Sequence, residues 1–155
     1  MDRPIYIRKL TTADAEIYKN ISYGESLHRY VSFMEAKSIS EAERIISFNT
    51  CLFSTMYGIF RASDNKLVGA LITSWYEPDK EMTVHYFIGE YYRRKHYAYE
   101  SLIVLSRLVK QKSPEVKTLV FEVRKTNKAS IALQKALGSE LVKENDKIYF
   151  YYLSV

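Results

Sequence analysis

Arg93, Arg94, Lys95 and His96 follow one another between an apolar run that ends at Ile88 and an apolar-striped segment that begins near Tyr97. If a helix starts there, basic residues are unfavourable, because the first backbone N–H groups have no internal partner and the macrodipole is positive at that end. An anion held among them removes the conflict. A diphosphate fits best, since it accepts several free N–H groups at once while the side chains add charge. A solvated basic turn would have the same composition, so position between strand and helix is the discriminating feature.

Other residue types suit proton transfer. His85 lies three residues before Ile88 and ionises near neutral pH, which makes it a candidate base; a half-buried strand histidine without a chemical role is the competing assignment. Asn127 and Ser130 are three apart and share a helix face, and Asn127 suits an N-cap equally well. Cys51 has no partner for a disulfide and no neighbours at zinc-ligand spacing, and beside Leu52 and Phe53 it reads as a small apolar filler.

The elements that would position these groups follow from periodicity. Ile5 and Ile7 alternate with Tyr6 and Arg8 as a strand should, and Thr11 with Asp14 offers a helix start. Ser40 with Glu43 completes Ser-x-x-Glu ahead of Ile45 and Ile46, predicting a helix that opens at Ser40, and Tyr23 to Lys37 reads as helix plus loop. Three β-rich runs, Met56 to Arg61, Leu67 to Ser74 and Met82 to Ile88, are separated by Ser63-Asp64-Asn65 and Glu77-Pro78-Asp79-Lys80, predicting an antiparallel meander. Ala98, Leu102, Leu105 and Val109 form one stripe on a helix from roughly Lys95 to Gln111, ended by Pro114. Lys117 to Arg124 is a strand, Asn127 to Leu137 a helix stopped by Gly138, and Ile148 to Leu153 a last strand after the Asn145-Asp146 turn. Strand, helix, strand over Met82 to Arg124 predicts a right-handed crossover joining two parallel strands.

A chain of 155 residues, 47% hydrophobic, suits one domain over 1–155. No apolar run is long enough for a membrane span or secretory leader, so a cytoplasmic, non-membrane protein is expected. The net charge of +5 favours an anionic partner. Fourteen tyrosines could stack bases, but Lys, Arg, Asp and Glu are interspersed and no nucleic-acid motif occurs, which argues against nucleic acid as a partner.

The order of elements and the segment Ile88-Gly89-Glu90-Tyr91-Tyr92-Arg93-Arg94-Lys95-His96-Tyr97-Ala98 resemble the GNAT superfamily of N-acetyltransferases, which binds acetyl-CoA through a Gln/Arg-x-x-Gly-x-Gly/Ala turn. Arg93 fills the first position and Ala98 the last, with His96 where the central glycine is usual. Glu122 to Gly138 is similar to the Asn-x-x-Ser-x-x-x-x-x-x-x-Gly pattern of the branch acting on ribosomal-protein N-termini, carried here by Asn127, Ser130 and Gly138. The resemblance implies an α/β acyl-CoA N-acyltransferase fold, a mixed and mostly antiparallel sheet with one splayed parallel pair flanked by helices. It also implies acetyl-CoA as cosubstrate, no metal, and an amine acceptor, either a peptide α-amino group or a small amine. Oligomeric state stays open, a homodimer included.

On that resemblance the coenzyme would be held by Phe87, Ile88, Arg93, Arg94, Lys95, His96, Tyr97, Ala98, Asn127 and Ser130. Main-chain N–H groups at Phe87 or Ile88 would polarise the thioester carbonyl. Many members place an acidic tyrosine where this chain has Gln134, which shifts the acid role to Ser130; His85, or else water or Glu122, would take the amine proton. The acceptor would be shaped by Tyr23 to Lys37, with Tyr23, His28, Arg29, Tyr30 and Glu35, and by the turn near Tyr76. A left-handed His96 would cost about 1–2 kcal/mol, less than several charge-assisted bonds at about 1.5–3 kcal/mol each. Two alternatives stand: a coenzyme-binding module without turnover, suggested by His96, Gln134 and Ser139, and a basic nucleic-acid-binding domain whose affinity would fall steeply with salt.

Overall fold

A computed structural model describes residues 3–76 and 79–155. Its strands are β1 (Ile5–Lys9), β2 (Ser54–Arg61), β3 (Leu67–Ser74), β4 (Glu81–Ile88), β5 (Thr118–Arg124), β6 (Glu140–Glu144) and β7 (Ile148–Ser154). Its helices are α1 (Ala15–Ile21), α2 (Glu25–Tyr30), α3 (Ile39–Phe48), α4 (Tyr97–Lys112) and α5 (Lys128–Leu137). The seven strands form one sheet in the order β1-β2-β3-β4-β5-β7-β6, antiparallel throughout except where β4 meets β5.

β3 is buried at every residue but its last, as a central strand covered on both faces must be, and its near-continuous apolar sequence reflects that. One face packs on α1 and α3 through Tyr18, Ile46, Met56, Ile72 and Phe87. The other receives the α4 stripe, Leu102, Leu105 and Val109, against Val84, Leu119, Phe121 and Val123. Successive strand residues point to opposite faces, so β4 sends Val84 to one core and Phe87 to the other. The Tyr18 hydroxyl, inside the first core, donates to the Met34 carbonyl and ties α1 to the 3-10 turn Ser32–Met34.

The decisive departure from a regular sheet lies between β4 and β5. They are in register at three pairs only, Glu81 with Thr118, Met82 with Leu119 and Thr83 with Val120. β3 accompanies β4 from Thr83 to Ile88, and β7 accompanies β5 from Thr118 to Arg124. Past Thr83, therefore, β4 and β5 diverge while each keeps its outer neighbour.

Several sequence expectations need correction. α3 is capped by Ser38, not Ser40: the Ser38 hydroxyl accepts from the Glu41 N–H at 3.0 Å, and the Glu41 carboxylate accepts from the Lys37 N–H at 2.7 Å. Two serines each precede a glutamate at the same spacing, so spacing could not choose between them. β6 carried no recognisable signal, because all five residues are exposed and the register slips between Leu141 and Lys143, which destroys the alternation. Cys51 is exposed and not a core filler; its N–H and carbonyl bridge to Ser54 in a tight turn that turns its neighbour Leu52 outward. The turn foreseen at Glu77-Pro78-Asp79-Lys80 lies partly outside the described residues. Among the described residues, no helix is long and apolar enough to cross a membrane, and no group of three or more His, Cys, Asp or Glu could hold a metal ion.

Candidate functional site

The divergence of β4 from β5 opens a cavity of about 670 Å³, lined by both strands, α2, the start of α4 and the start of α5. Main-chain direction along β4 alternates, and two bonds fix its phase. The Lys80 carbonyl accepts from Lys117 on the β5 side, and the Gly89 N–H donates to Val68 on the β3 side. Even-numbered residues of β4 thus direct N–H and C=O toward β5, odd-numbered ones toward β3. Tyr86 and Ile88 consequently present main-chain groups to the open gap. Phe87 faces β3 with its main chain and the α1 core with its ring, edge-on to Tyr18, so of the two donors considered only Ile88 points into the cavity.

Beyond Ile88 the chain makes a 3-10 turn, Glu90–Tyr92, and then two left-handed residues, Arg94 (φ 64°) and His96 (φ 63°), before α4 starts. The Glu100 N–H is the first to reach back to a carbonyl, that of His96, at 3.0 Å. Tyr97, Ala98 and Tyr99 fill the first turn, whose N–H groups no helix can satisfy internally, and all three line the cavity together with Arg93, Arg94 and His96. Lys95 does not line it. The loop therefore gathers free N–H groups and two guanidinium groups at one mouth of the gap, which is what a diphosphate requires.

His96 has the positive φ that makes a non-glycine residue expensive. Replacing it by glycine removes about 1–2 kcal/mol of left-handed strain and adds about 0.5–1 kcal/mol of chain entropy. His96→Gly is accordingly expected to raise the urea midpoint by an amount equivalent to about 0.5–1 kcal/mol; an unchanged or lower midpoint would remove strain from the account of this loop.

The two faces of the sheet carry different chemistry into the gap. His85 emerges on the α1 side, edge-on to Phe33 at 5.1 Å between ring centres. Burial holds its pKa below the ordinary histidine value, opposed by the charge of Glu122 on β5. Tyr86 emerges on the α4 side, where its hydroxyl lies 3.1 Å from the Ser130 hydroxyl and its ring stands edge-on to Phe121. Ser130 is held by α5, whose N-cap is Asn127: the Asn127 side-chain oxygen accepts from the Ser130 N–H at 3.3 Å. His85, Glu122, Asn127 and Ser130 all line the same cavity.

On the acceptor side, Tyr23 and Tyr30 line the opening, and the Tyr30 hydroxyl donates to the Thr126 carbonyl at 3.1 Å across it. His28 pairs with Glu35 at 2.7 Å and Arg29 with Glu25 at 2.6 Å, and none of these four lines the cavity. Tyr76 stacks on Phe53 at the Glu81 end of β4, where the strands are still paired, so the turn near it does not flank the opening. Tyr86 and Glu90 line the cavity but were not singled out in the sequence; stepping one residue along the strand from His85 would have reached Tyr86.

The description of an acetyltransferase (GNAT) domain matches residues 5–140. No curated protein matches the sequence. Among solved structures, a candidate ribosomal-protein-serine acetyltransferase from Vibrio cholerae superposes with a TM-score of 0.80 at 20% identity, covering 100% of this chain and 96% of its own. The ribosomal L7/L12 alpha-N-protein acetyltransferase RimL in complex with coenzyme A gives 0.80 at 17% identity, with 99% and 96% covered. AAC(6')-Ib in complex with ribostamycin and coenzyme A gives 0.81 at 12% identity, with 98% and 94% covered. At these identities the likeness is one of fold.

Proposed function

Because the chain belongs to the GNAT acetyltransferase family, we propose that it binds acetyl-CoA at the Arg93–Ala98 loop and transfers the acetyl group directly to a primary amine entering from the α2 side. One observation carries this: the unpaired edge of β4, the free first turn of α4 and Arg93 with Arg94 converge on a single cavity lined from both faces of the sheet. The residues fit the coenzyme. Its diphosphate would meet the N–H groups of Tyr97, Ala98 and Tyr99, and its thioester would lie in the gap between the strands.

In this scheme the amine nitrogen attacks the thioester carbon, and the carbonyl oxygen, as it becomes an oxyanion, accepts from the Ile88 N–H. His85 takes the amine proton, directly or through water held by Glu122. The carbon–sulfur bond then breaks, and Ser130 supplies the proton that the departing thiolate needs. His85 and Ser130 sit on opposite faces of the sheet, so proton acceptor and proton donor flank the reacting carbon without competing for it. The acceptor class favoured is a peptide α-amino group or a small amine, since the opening between Tyr23 and Tyr30 offers mixed rather than single-sign charge, with Glu90, Glu122 and Arg124 on its walls.

The test is release of free thiol from acetyl-CoA on addition of a panel of peptides, polyamines and aminoglycosides to the purified chain. Since burial lowers the pKa of His85, the side chain is neutral and able to accept a proton at pH 7. The acid limb of kcat/KM should therefore lie below the usual histidine value of about 6.5. Activity is expected to fall as pH drops through that limb, and His85→Gln should flatten it and lower kcat by about tenfold or more. Tight coenzyme binding with no thiol release from any amine would instead mark the chain as a binding module.

A further inference from the structure

The hydrogen bonds behind Ser130 have a direction. Gln134, one turn beyond Ser130 on α5, is fully buried. Its side-chain oxygen accepts from the Ser139 hydroxyl at 2.7 Å, while its amide nitrogen has no partner within hydrogen-bonding distance among the described residues. A buried amide N–H without an acceptor is costly, and a catalytic role is one of the few reasons a fold keeps one. Burial keeps the Tyr86 phenol protonated, opposed by Ser130, Gln134 and the charge of Arg93. A phenol accepts as well as donates. The Tyr86 hydroxyl donates along the 3.1 Å contact to the Ser130 oxygen, and the Ser130 proton is left facing the cavity.

We propose that Tyr86 is a positioning and proton-relay residue: it orients the Ser130 hydroxyl toward the leaving sulfur and replaces the proton that Ser130 gives up. As the carbon–sulfur bond breaks, the electron pair goes to sulfur, which takes the Ser130 proton. Ser130 takes the Tyr86 proton in the same movement. The phenolate so formed is held by the Arg93 charge, with the unpartnered Gln134 N–H free to turn to it, until the proton released by the amine returns to it through solvent. The net change is amine plus thioester to amide plus thiol, with no other reactant. This assignment rests on the acetyl-transfer reaction proposed above.

The experiment compares wild type, Tyr86→Phe, Ser130→Ala and the double variant of the full chain for turnover of acetyl-CoA, together with calorimetric affinity for coenzyme A. Tyr86→Phe is expected to lower kcat about tenfold or more with coenzyme affinity within about twofold of wild type. The double variant should be no slower than Ser130→Ala, because the two residues act as one unit. Incorporating a fluorotyrosine of lower phenol pKa at position 86, which preserves the packing if Tyr86→Phe does not fold, should move the basic limb of kcat to lower pH. An active wild type with Tyr86→Phe within about twofold of it, losses that multiply in the double variant, or a basic limb that stays in place would each overturn the relay alone. A wild type that binds coenzyme A but releases no thiol overturns the acetyl-transfer proposal and the relay together.

Discussion

Changing Arg93 and Arg94 together to alanine is expected to weaken acetyl-CoA binding by on the order of 100-fold while leaving the fold intact. Each guanidinium lines the mouth of the cavity, and a charge-assisted bond to a phosphate is worth about 1.5–3 kcal/mol. Both residues are exposed, so solvent screening pulls the estimate to the low end of the combined range. Neither side chain takes part in an ion pair among the described residues, and alanine at Arg94 keeps the backbone strain that arginine already bears at φ 64°. The urea midpoint should therefore barely move. Calorimetric titration with acetyl-CoA and dephospho-CoA is the measurement. A loss smaller than about threefold would mean that the diphosphate lies elsewhere.

The second large effect belongs to Gly69. A methyl group there would come nearer to the Phe87 carbonyl oxygen than real Cβ atoms approach any oxygen, and would also press on the Ile88 Cδ1 at 2.9 Å and the Ile59 Cδ1 at 3.2 Å. Side chains can turn away, but a carbonyl in a β ladder cannot move without taking its strand along. Gly69→Ala is thus expected to cost about 3 kcal/mol, at the upper end of overpacking, and to lower Tm by roughly 6–12 °C for a chain of this size. It should also reduce turnover beyond what unfolding explains, because a shifted β4 carries the Ile88 N–H with it. Gly138→Ala is the control, with a positive φ of 80° but nothing within 4 Å of the added carbon, so only the left-handed strain of about 1–2 kcal/mol applies. Equal losses for the two variants would show that close approach at Gly69 is unimportant.

How much of this was readable beforehand varies with the physics. The meander and α4 were legible because alternation and an i, i+4, i+7 stripe survive wherever one face is buried, and Leu67 to Ser74 was placed to the residue. The basic loop was legible because charge at a helix start is anomalous in sequence alone, and all but Lys95 of its residues reached the cavity wall. The backbone state of His96 was not, since a left-handed φ leaves no mark when the residue is not glycine. Nor could sequence separate Ile88 from Phe87 as the donor, because that depends on the phase of the β4 ladder, fixed by Lys80 and Gly89 at its two ends. The Tyr86–Ser130 contact joins residues 44 apart and exists only because α5 folds back over the strand.

The three register pairs between β4 and β5 have a mechanical meaning as well. On one side stand β1 to β4 with α1 to α3, on the other β5 to β7 with α5, and the backbone ladder joins the two halves of the sheet at that short seam alone among the described residues. A coenzyme lodged in the gap would work as a bolt through a hinge, turning part of its binding free energy into cohesion between halves whose strands pair at three positions. Amide hydrogen exchange should report this as slower exchange at the far ends of β4 and β5 in the loaded protein, with little change in the β2–β3 pair, which needs no bolt.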